Sequence, residues 1–335
     1  MPFGKRGRLL PDNALKYPKT FRKSDFRCWR LNVIYAYSAG ATQANVLSDL
    51  VAIFTGTTDV NSLSASCNKS LTTITATTPA GWTLHDGSSG TNKKVIKAPY
   101  LDSGDKYVEL DSYSTTNITL YMYETFNATT HTGTNKTGNS TYYPQRQDLT
   151  AGGKFYLFSS ARYLAMVSDV TAGYGDPTRG GMTICSEFKP LCPWAAGYPA
   201  AALWLTGALF YYSKELYLIR AKGNDNSDKT GSSATAHFGT IGTNTNGSGF
   251  DNAINFPSAK TVYNNSGVQF TPFFPLFIVE SSVFTMPVGD ISDRSNIWIP
   301  PLNLLTHLSV TVKGGQDYIA VKAYSTAGRM LLFPK

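Results

Sequence analysis

Apolar and polar residues alternate in short runs through most of this chain. Trp29–Tyr37 alternates and is rich in strand-forming side chains, so it predicts a strand. Leu71–Thr77, Lys94–Pro99, Lys106–Asp111 and Ile118–Tyr123 are short, alternating and β-branched. The clusters Gly87–Gly90 and Asp102–Asp105 separate them as turns. Residues 42–54 break the pattern. Val46, Leu47, Leu50, Val51 and Phe54 fall on one face at helical spacing, with Thr42 placed to cap the start and Gly56 to stop the end. A second run of β-signals extends from Lys154 onward, interrupted by the polar stretch 223–233. It ends in a meander: Leu308–Lys313, Gly314-Gly315, Asp317–Tyr324 and Arg329–Phe333 predict three strands. Residues 127–153 hold few aliphatics and read as a surface loop or interdomain linker.

These elements predict a mainly β protein: two β-sandwich-like blocks, one short helix and an extended N-terminal arm. The expected domains are an arm over 1–30, an N-terminal β domain over 31–150 with helix 42–54, and a C-terminal β domain over 151–335. At 335 residues the chain is long enough for this.

Charge sharpens the picture of the arm. Residues 1–30 carry nine basic residues against Asp12 and Asp25, a net +7, while the other 305 residues hold 21 basic and 20 acidic groups, a net +1. The protein is therefore a near-neutral body with a cationic segment. Gly4, Gly7, Pro2, Pro11 and Pro18 oppose regular structure within it. Its apolar residues, Phe3, Leu9, Leu10, Leu15, Tyr17, Phe21 and Phe26, follow neither a helical nor a strand period. Such a segment orders on a partner. The residues expected to dock on a neighbouring subunit are Lys5, Arg6, Arg8, Lys16, Lys19, Phe21, Arg22, Lys23, Phe26 and Arg27. Basics interleaved with aromatics also suit single-stranded nucleic acid, but no recognised nucleic-acid fold accompanies them, so nucleic acid is the weaker partner.

Charged residues make up only 16% of the chain, with Thr, Ser, Asn, Gly and Tyr in their place. That composition suits a subunit that spends its life against copies of itself or other proteins. No roughly 7–15-residue apolar run follows the basic segment, so no signal peptide is expected. The sequons at Asn68, Asn117, Asn127, Asn135, Asn139 and Asn246 then read as chance in an Asn/Thr-rich chain. The longest apolar region, Trp194–Tyr212, is broken by Gly197, Pro199 and Gly207, and no membrane span is expected.

Candidate chemistry is sparse. The four cysteines, Cys28, Cys67, Cys185 and Cys192, lack zinc-site spacing and read as reduced thiols, Cys185–Cys192 being the one pair placed to bridge. No nucleophile elbow, phosphate loop or HExxH motif occurs. Asn224–Asp228 lacks the glycine and distant glutamate of a calcium loop. His85, Asp86 and Ser88 lie close in sequence, but adjacent strand residues point to opposite faces. Glu109 and Asp111 share a strand face, a pairing that serves glycosidases and is equally ordinary on the wet face of a sheet. No cofactor and no catalytic turnover are expected.

Four segments resemble structural proteins of tailed bacteriophages: Gly81–Asp86 (GWTLHD), Val95–Pro99, Lys106–Asp111 (KYVELD) and Ile118–Asn127, which ends in YETFN. In such proteins a GWTxHD segment precedes an APxxxxxxKYV strand and a YExxN strand. Arg162-Tyr163 and Gly197–Gly207 fit the same pattern, and the resemblance spans residues 30–220. It implies a virion component of the tail, neck or baseplate, synthesised in the host cytoplasm. Its partners would be copies of itself and other virion proteins, and no functional residue carries over. The alternatives are a carbohydrate-binding adhesin or tail-fibre module, a capsid decoration protein, and a β-fold hydrolase with dispersed catalytic groups. An exposed aromatic groove would mark the adhesin, and convergent carboxylates of raised pKa the hydrolase.

Overall fold

The computed structural model describes residues 31–74, 80–90, 92–100, 104–114, 117–137, 145–146, 149, 151–169, 181–191, 200–206, 214–218, 220–222, 228–230, 238–240, 262–263, 269–270, 274–280, 286–300, 305–322 and 330–335. The first half contains β1 (Leu31–Tyr37), α1 (Gln43–Thr55), β2 (Thr73–Ile74), β3 (Thr83–Gly90), β4 (Lys93–Ala98), β5 (Lys106–Ser114), β6 (Asn117–Tyr123), β7 (Thr125–Asn127), β8 (Thr132–Thr134) and β9 (Gln145–Arg146). Then follow β10 (Gly153–Ser160), β11 (Tyr163–Ser168), β12 (Gly181–Glu187), β13 (Lys189–Pro190), β14 (Ala200–Thr206) and β15 (Lys214–Leu218). Short strands come next: β16 (Arg220–Lys222), β17 (Asp228–Thr230), β18 (Phe238–Thr240), β19 (Val262–Tyr263), β20 (Gln269–Phe270), β21 (Phe274–Pro275) and β22 (Phe277–Glu280). The last elements are β23 (Met286–Asp290), α2 (Ile291–Ser295), β24 (Trp298–Ile299), β25 (Val310–Lys313), β26 (Gln316–Lys322) and β27 (Met330–Pro334).

The fold is mainly β, antiparallel and sandwich-like. Its centre is a seven-stranded sheet in the order β15-β14-β12-β11-β10-β1-β2. Strand β1 pairs with β10 in unbroken register from Leu31↔Ser159 to Tyr37↔Gly153. One sheet therefore runs across residue 150, where composition alone suggests a linker. Both faces of this sheet are covered, and alternation along each strand sorts the side chains. Phe155, Leu157, Leu164, Met166, Cys185 and Ala202 join one apolar cluster with α1 and the sheet β3-β4-β5-β6-β9. Tyr156, Phe158, Ala165, Val167, Met182, Ile184 and Ala201 join a second cluster with Ile278, Ile291, Val321, Leu331 and Phe333. Phe158 stacks on Phe333 at 4.4 Å between ring centres. The two sandwich-like blocks thus share a sheet, and this is why β11 and β12 are buried at every position.

Helix α1 forms as its periodicity predicts. The Thr42 hydroxyl accepts from Asn45 N at 3.2 Å, and Gly56 ends the helix in the left-handed region at φ 114°. Asp49, buried on its inner face, accepts from Tyr35 Oη at 2.8 Å and from Ser64 N and Oγ, each at 2.7 Å. Burial, and after it the Asp49 charge, pushes the Tyr35 hydroxyl far above its ordinary pKa. The carboxylate thereby ties α1 to the central sheet and to the chain that follows the helix. The C-terminal meander is also present, with Gly314 and Gly315 at φ 59° and 79° closing the β25–β26 hairpin.

Among the described residues no helix is long and apolar enough to cross a membrane.

Candidate functional site

The residues predicted to dock, from Lys5 to Arg27, lie outside the described residues, as do Cys28, Cys192 and Asn224–Ser227. The candidate groups that are described converge on one place: the outer face of the β3-β4-β5-β6 sheet.

Alternation along β5 places Val108 and Leu110 in the core and Tyr107, Glu109 and Asp111 on the opposite face. That face is not wet. Glu109 and Asp111 are buried, with the β7–β8 hairpin and the segment after it close by. The register sets Lys93 opposite Asp111, and Val95 and Tyr121 on either side of Glu109. Lys93 Nζ lies 3.3 Å from Asp111 Oδ2 and 3.8 Å from Glu109 Oε1. Lys136 Nζ approaches the same Glu109 oxygen at 3.4 Å, and Tyr123 Oη donates to it at 3.3 Å. The Lys136 ammonium also sits 3.7 Å above the Tyr121 ring centre. Two carboxylates thus meet two ammonium groups. Burial opposes the charge on Lys93, but Glu109 and Asp111 together hold its amine above the ordinary lysine value. Burial, and then Glu109, pushes the Tyr123 hydroxyl well up. The Lys93 ammonium touches both carboxylates, where a glycosidase needs open space for the scissile bond.

His85, Asp86 and Ser88 are engaged as well. A β-bulge in β3 between Leu84 and Asp86 breaks simple alternation there. Asp86 Oδ1 accepts from Ser88 N at 2.8 Å and from Ser88 Oγ at 3.1 Å, and Oδ2 pairs with His131 Nδ1 at 2.6 Å. Burial raises the Asp86 carboxyl, but the hydrogen bonds from His131 and Ser88 outweigh it and hold the group below its usual range. His85 Nε2 meets the Phe126 carbonyl at 3.1 Å, and its ring packs 4.5 Å from Tyr107. Ser88 bonds the carboxylate and not the imidazole, so these groups do not form a nucleophile–base pair.

His131 and the Phe126 carbonyl, with Lys136 just beyond, tie these residues to the β7–β8 hairpin. The Thr/Asn-rich stretch expected to be loop folds here into paired strands, Thr125–Asn127 against Thr132–Thr134. Asn127 Oδ1 caps the turn by accepting from Thr129 N and Thr130 N at 2.8 and 3.1 Å, and His131 takes φ 53°. Phe126 packs edge-on against Tyr123 at 5.3 Å. Gly133 is obligatory because a Cβ there would lie 2.3 Å from the Tyr123 ring. Lys93, His131 and Lys136 carry this arrangement, and sequence reasoning passes over them. Knowing that Lys93 faces Asp111 would have revealed the first of them.

The motifs that carry the phage resemblance have packing roles. Trp82 is buried, donates through Nε1 to Ser160 O at 2.9 Å and meets Tyr100 edge-on at 5.6 Å. Gly81, at φ 90°, lies against Pro99. Arg162 Nη1 donates to the buried Glu187 at 2.6 Å. Cys67 and Cys185 are buried free thiols, and burial raises both. Among the described residues no group of three or more His, Cys, Asp or Glu is placed to hold a metal ion. No protein-family model matches the chain, and no curated protein sequence matches it.

Proposed function

We propose that this chain is a non-enzymatic structural subunit of a tailed-phage virion, in the tail, neck or baseplate, that docks on neighbouring subunits through its basic segment 1–30. The observation that carries the reading is the division of charge: +7 in residues 1–30 against +1 in the remaining 305. The described body matches its charges internally, in the Lys93–Asp111–Glu109–Lys136 network, in Arg162–Glu187 at 2.6 Å and in Lys97–Asp105 at 2.7 Å. The cationic segment has no such reserve of acid in the sequence around it, so its counter-charge is sought on another molecule. Its apolar residues supply affinity and its charge supplies steering. The carboxylate pair that would suit a hydrolase is neutralised by lysines, and Tyr121 and Tyr123 are buried instead of forming a sugar-stacking surface at this face.

The test is deletion of residues 1–27. The truncated body keeps its thermal stability within about a degree or two of the full chain, as the docking reading requires of a segment that orders on a partner, and it fails to enter the particle. Normal incorporation of the truncated chain, or turnover of peptidoglycan or host polysaccharide by the purified protein, refutes the reading.

A further inference from the structure

One apolar stripe on the described body has no cover. Val310 and Val312 share a face of β25 and are 51% and 60% exposed, and Leu308 just before them is 39% exposed. Cross-strand pairing sets Val310 beside Ile319, which packs against the second core cluster through the same face as Val321 and Leu331. The stripe is thus the overhanging end of a core-facing surface. Strand β25 pairs with β26 along one edge, and among the described residues no strand pairs with its other edge. Leu308 holds φ 63°, a conformation that leucine rarely adopts, with its N–H donating to Ala320 O at 2.7 Å. The backbone is strained where it presents the stripe, as at many binding edges.

Residues 1–30 precede β1 in the chain, and β1 passes near this flank. They lead into β1 at Leu31. Ile34 of β1 lies opposite Tyr156, and the Tyr156 ring meets His307 edge-on at 5.3 Å, one residue before Leu308. Leu31 is three strand residues from Ile34, about 10 Å. Residues 1–30 keep no strand period as a whole, but within them Tyr17, Lys19 and Phe21 stand at i, i+2 and i+4 and can share one face of an added strand. Backbone groups alternate too. A strand that turns the N–H groups of Tyr17, Lys19 and Phe21 toward β25 leaves Pro18, which has none, on the outer edge. An edge strand tolerates proline there, and further pairing stops. The nine residues between Phe21 and Leu31 allow a reach of about 33 Å, roughly the width of a domain.

Building on the docking reading above, we infer that β25 is the acceptor for that segment: Tyr17–Phe21 of a second copy adds a strand to the free edge of β25 and lays Tyr17 and Phe21 over Leu308, Val310 and Val312. Among the described residues the stripe is exposed, and the docking reading assigns the covering strand to another copy. Because the segment enters the body at β1, near the acceptor, two neighbours can exchange strands reciprocally.

The experiment uses the full chain and sedimentation analysis of self-association. The acceptor variant is V310K/V312K, which changes exposed positions only. The donor variant is Y17A/F21A. Each weakens association about thirtyfold, as loss of a hot spot does, with an unchanged melting temperature. Combining both pairs in one chain adds little. A mixture of donor-variant and acceptor-variant chains recovers association, since each pair retains one intact exchange. If the donor variant weakens association and the acceptor variant does not, the segment docks elsewhere: the acceptor assignment fails and the docking reading stands. The assignment also fails if the acceptor variant alone has an effect, or if the mixture does not recover. A full chain that stays monomeric, or whose association neither variant changes, overturns both.

Discussion

Replacing Glu109 distinguishes a structural network from a disguised active site. In Glu109→Ala the carboxylate that Tyr123 Oη, Lys136 and Lys93 share is lost. The lysine side chains are 36% and 42% exposed, so water compensates each in part, and each pairing is worth about 0.5 kcal/mol. The Tyr123 hydroxyl sits deeper and loses its acceptor, at about 1 kcal/mol. Loss of the buried methylene stem adds roughly another 0.8 kcal/mol. The total is about 2–3 kcal/mol of destabilisation. Glu109→Gln keeps the stem and an acceptor for Tyr123, so it costs only the two charge pairings, about 1 kcal/mol. Urea unfolding at neutral pH measures both. A double-mutant cycle with Lys136→Ala isolates that pair and should give a coupling of about 0.5 kcal/mol that shrinks in high salt. Catalytic carboxylates behave in the opposite way, because sites built for chemistry commonly gain stability when neutralised. If Glu109→Gln or Asp111→Asn raises stability, the network reading is wrong and the glycosidase-like reading returns.

Three further outcomes follow from the same geometry. Gly133→Ala forces a methyl group toward the Tyr123 ring, so it should cost about 1–3 kcal/mol and accelerate amide exchange selectively in residues 124–137. The folded-state pKa of Asp86 is depressed, so its contribution is present above the ordinary carboxylate value and is lost as pH falls through the folded one. Asp86→Asn should therefore flatten the stability loss as pH falls through and below the ordinary carboxylate range, and an unaltered acid limb refutes the clasp. Cys67 and Cys185, buried with raised thiol pKa values, should resist maleimide in the native protein and react fully in urea.

Local pattern made much of the fold legible. The helix boundary residues, the strands from Lys93 to Tyr123 and the Gly314-Gly315 hairpin all follow from periodicity and turn chemistry that act over a few residues. The pairing of β1 with β10 does not, because partners such as Leu31 and Ser159 are brought together by collapse of the whole chain. The β7–β8 hairpin escaped for another reason. Apart from Phe126, its stability comes from the Asn127 cap, from His131 on Asp86 and from Lys136 on Glu109, and none of these has a hydrophobic period. The paired carboxylates of β5 were legible as a pair. Their meaning depended on Lys93, which is placed by register, and on Lys136, which is placed by the hairpin.

The same contrast separates body from arm. In the described body, polar groups that look reactive in one dimension acquire partners in three: Asp86 takes Ser88 and His131, Glu109 takes two lysines and a tyrosine, and Glu187 takes Arg162. A chain that resolves its charges internally retains little long-range field of its own. Residues 1–30 break that rule with nine basic groups and two acidic ones, and their aromatic residues have no strand or helix period that would fold them alone. Opposite them in character stands the Val310–Val312 edge, apolar and, among the described residues, exposed and unpaired. Donor and acceptor on one chain are the minimum that a self-assembling subunit requires. Whether they meet each other is what the complementation of donor and acceptor variants decides.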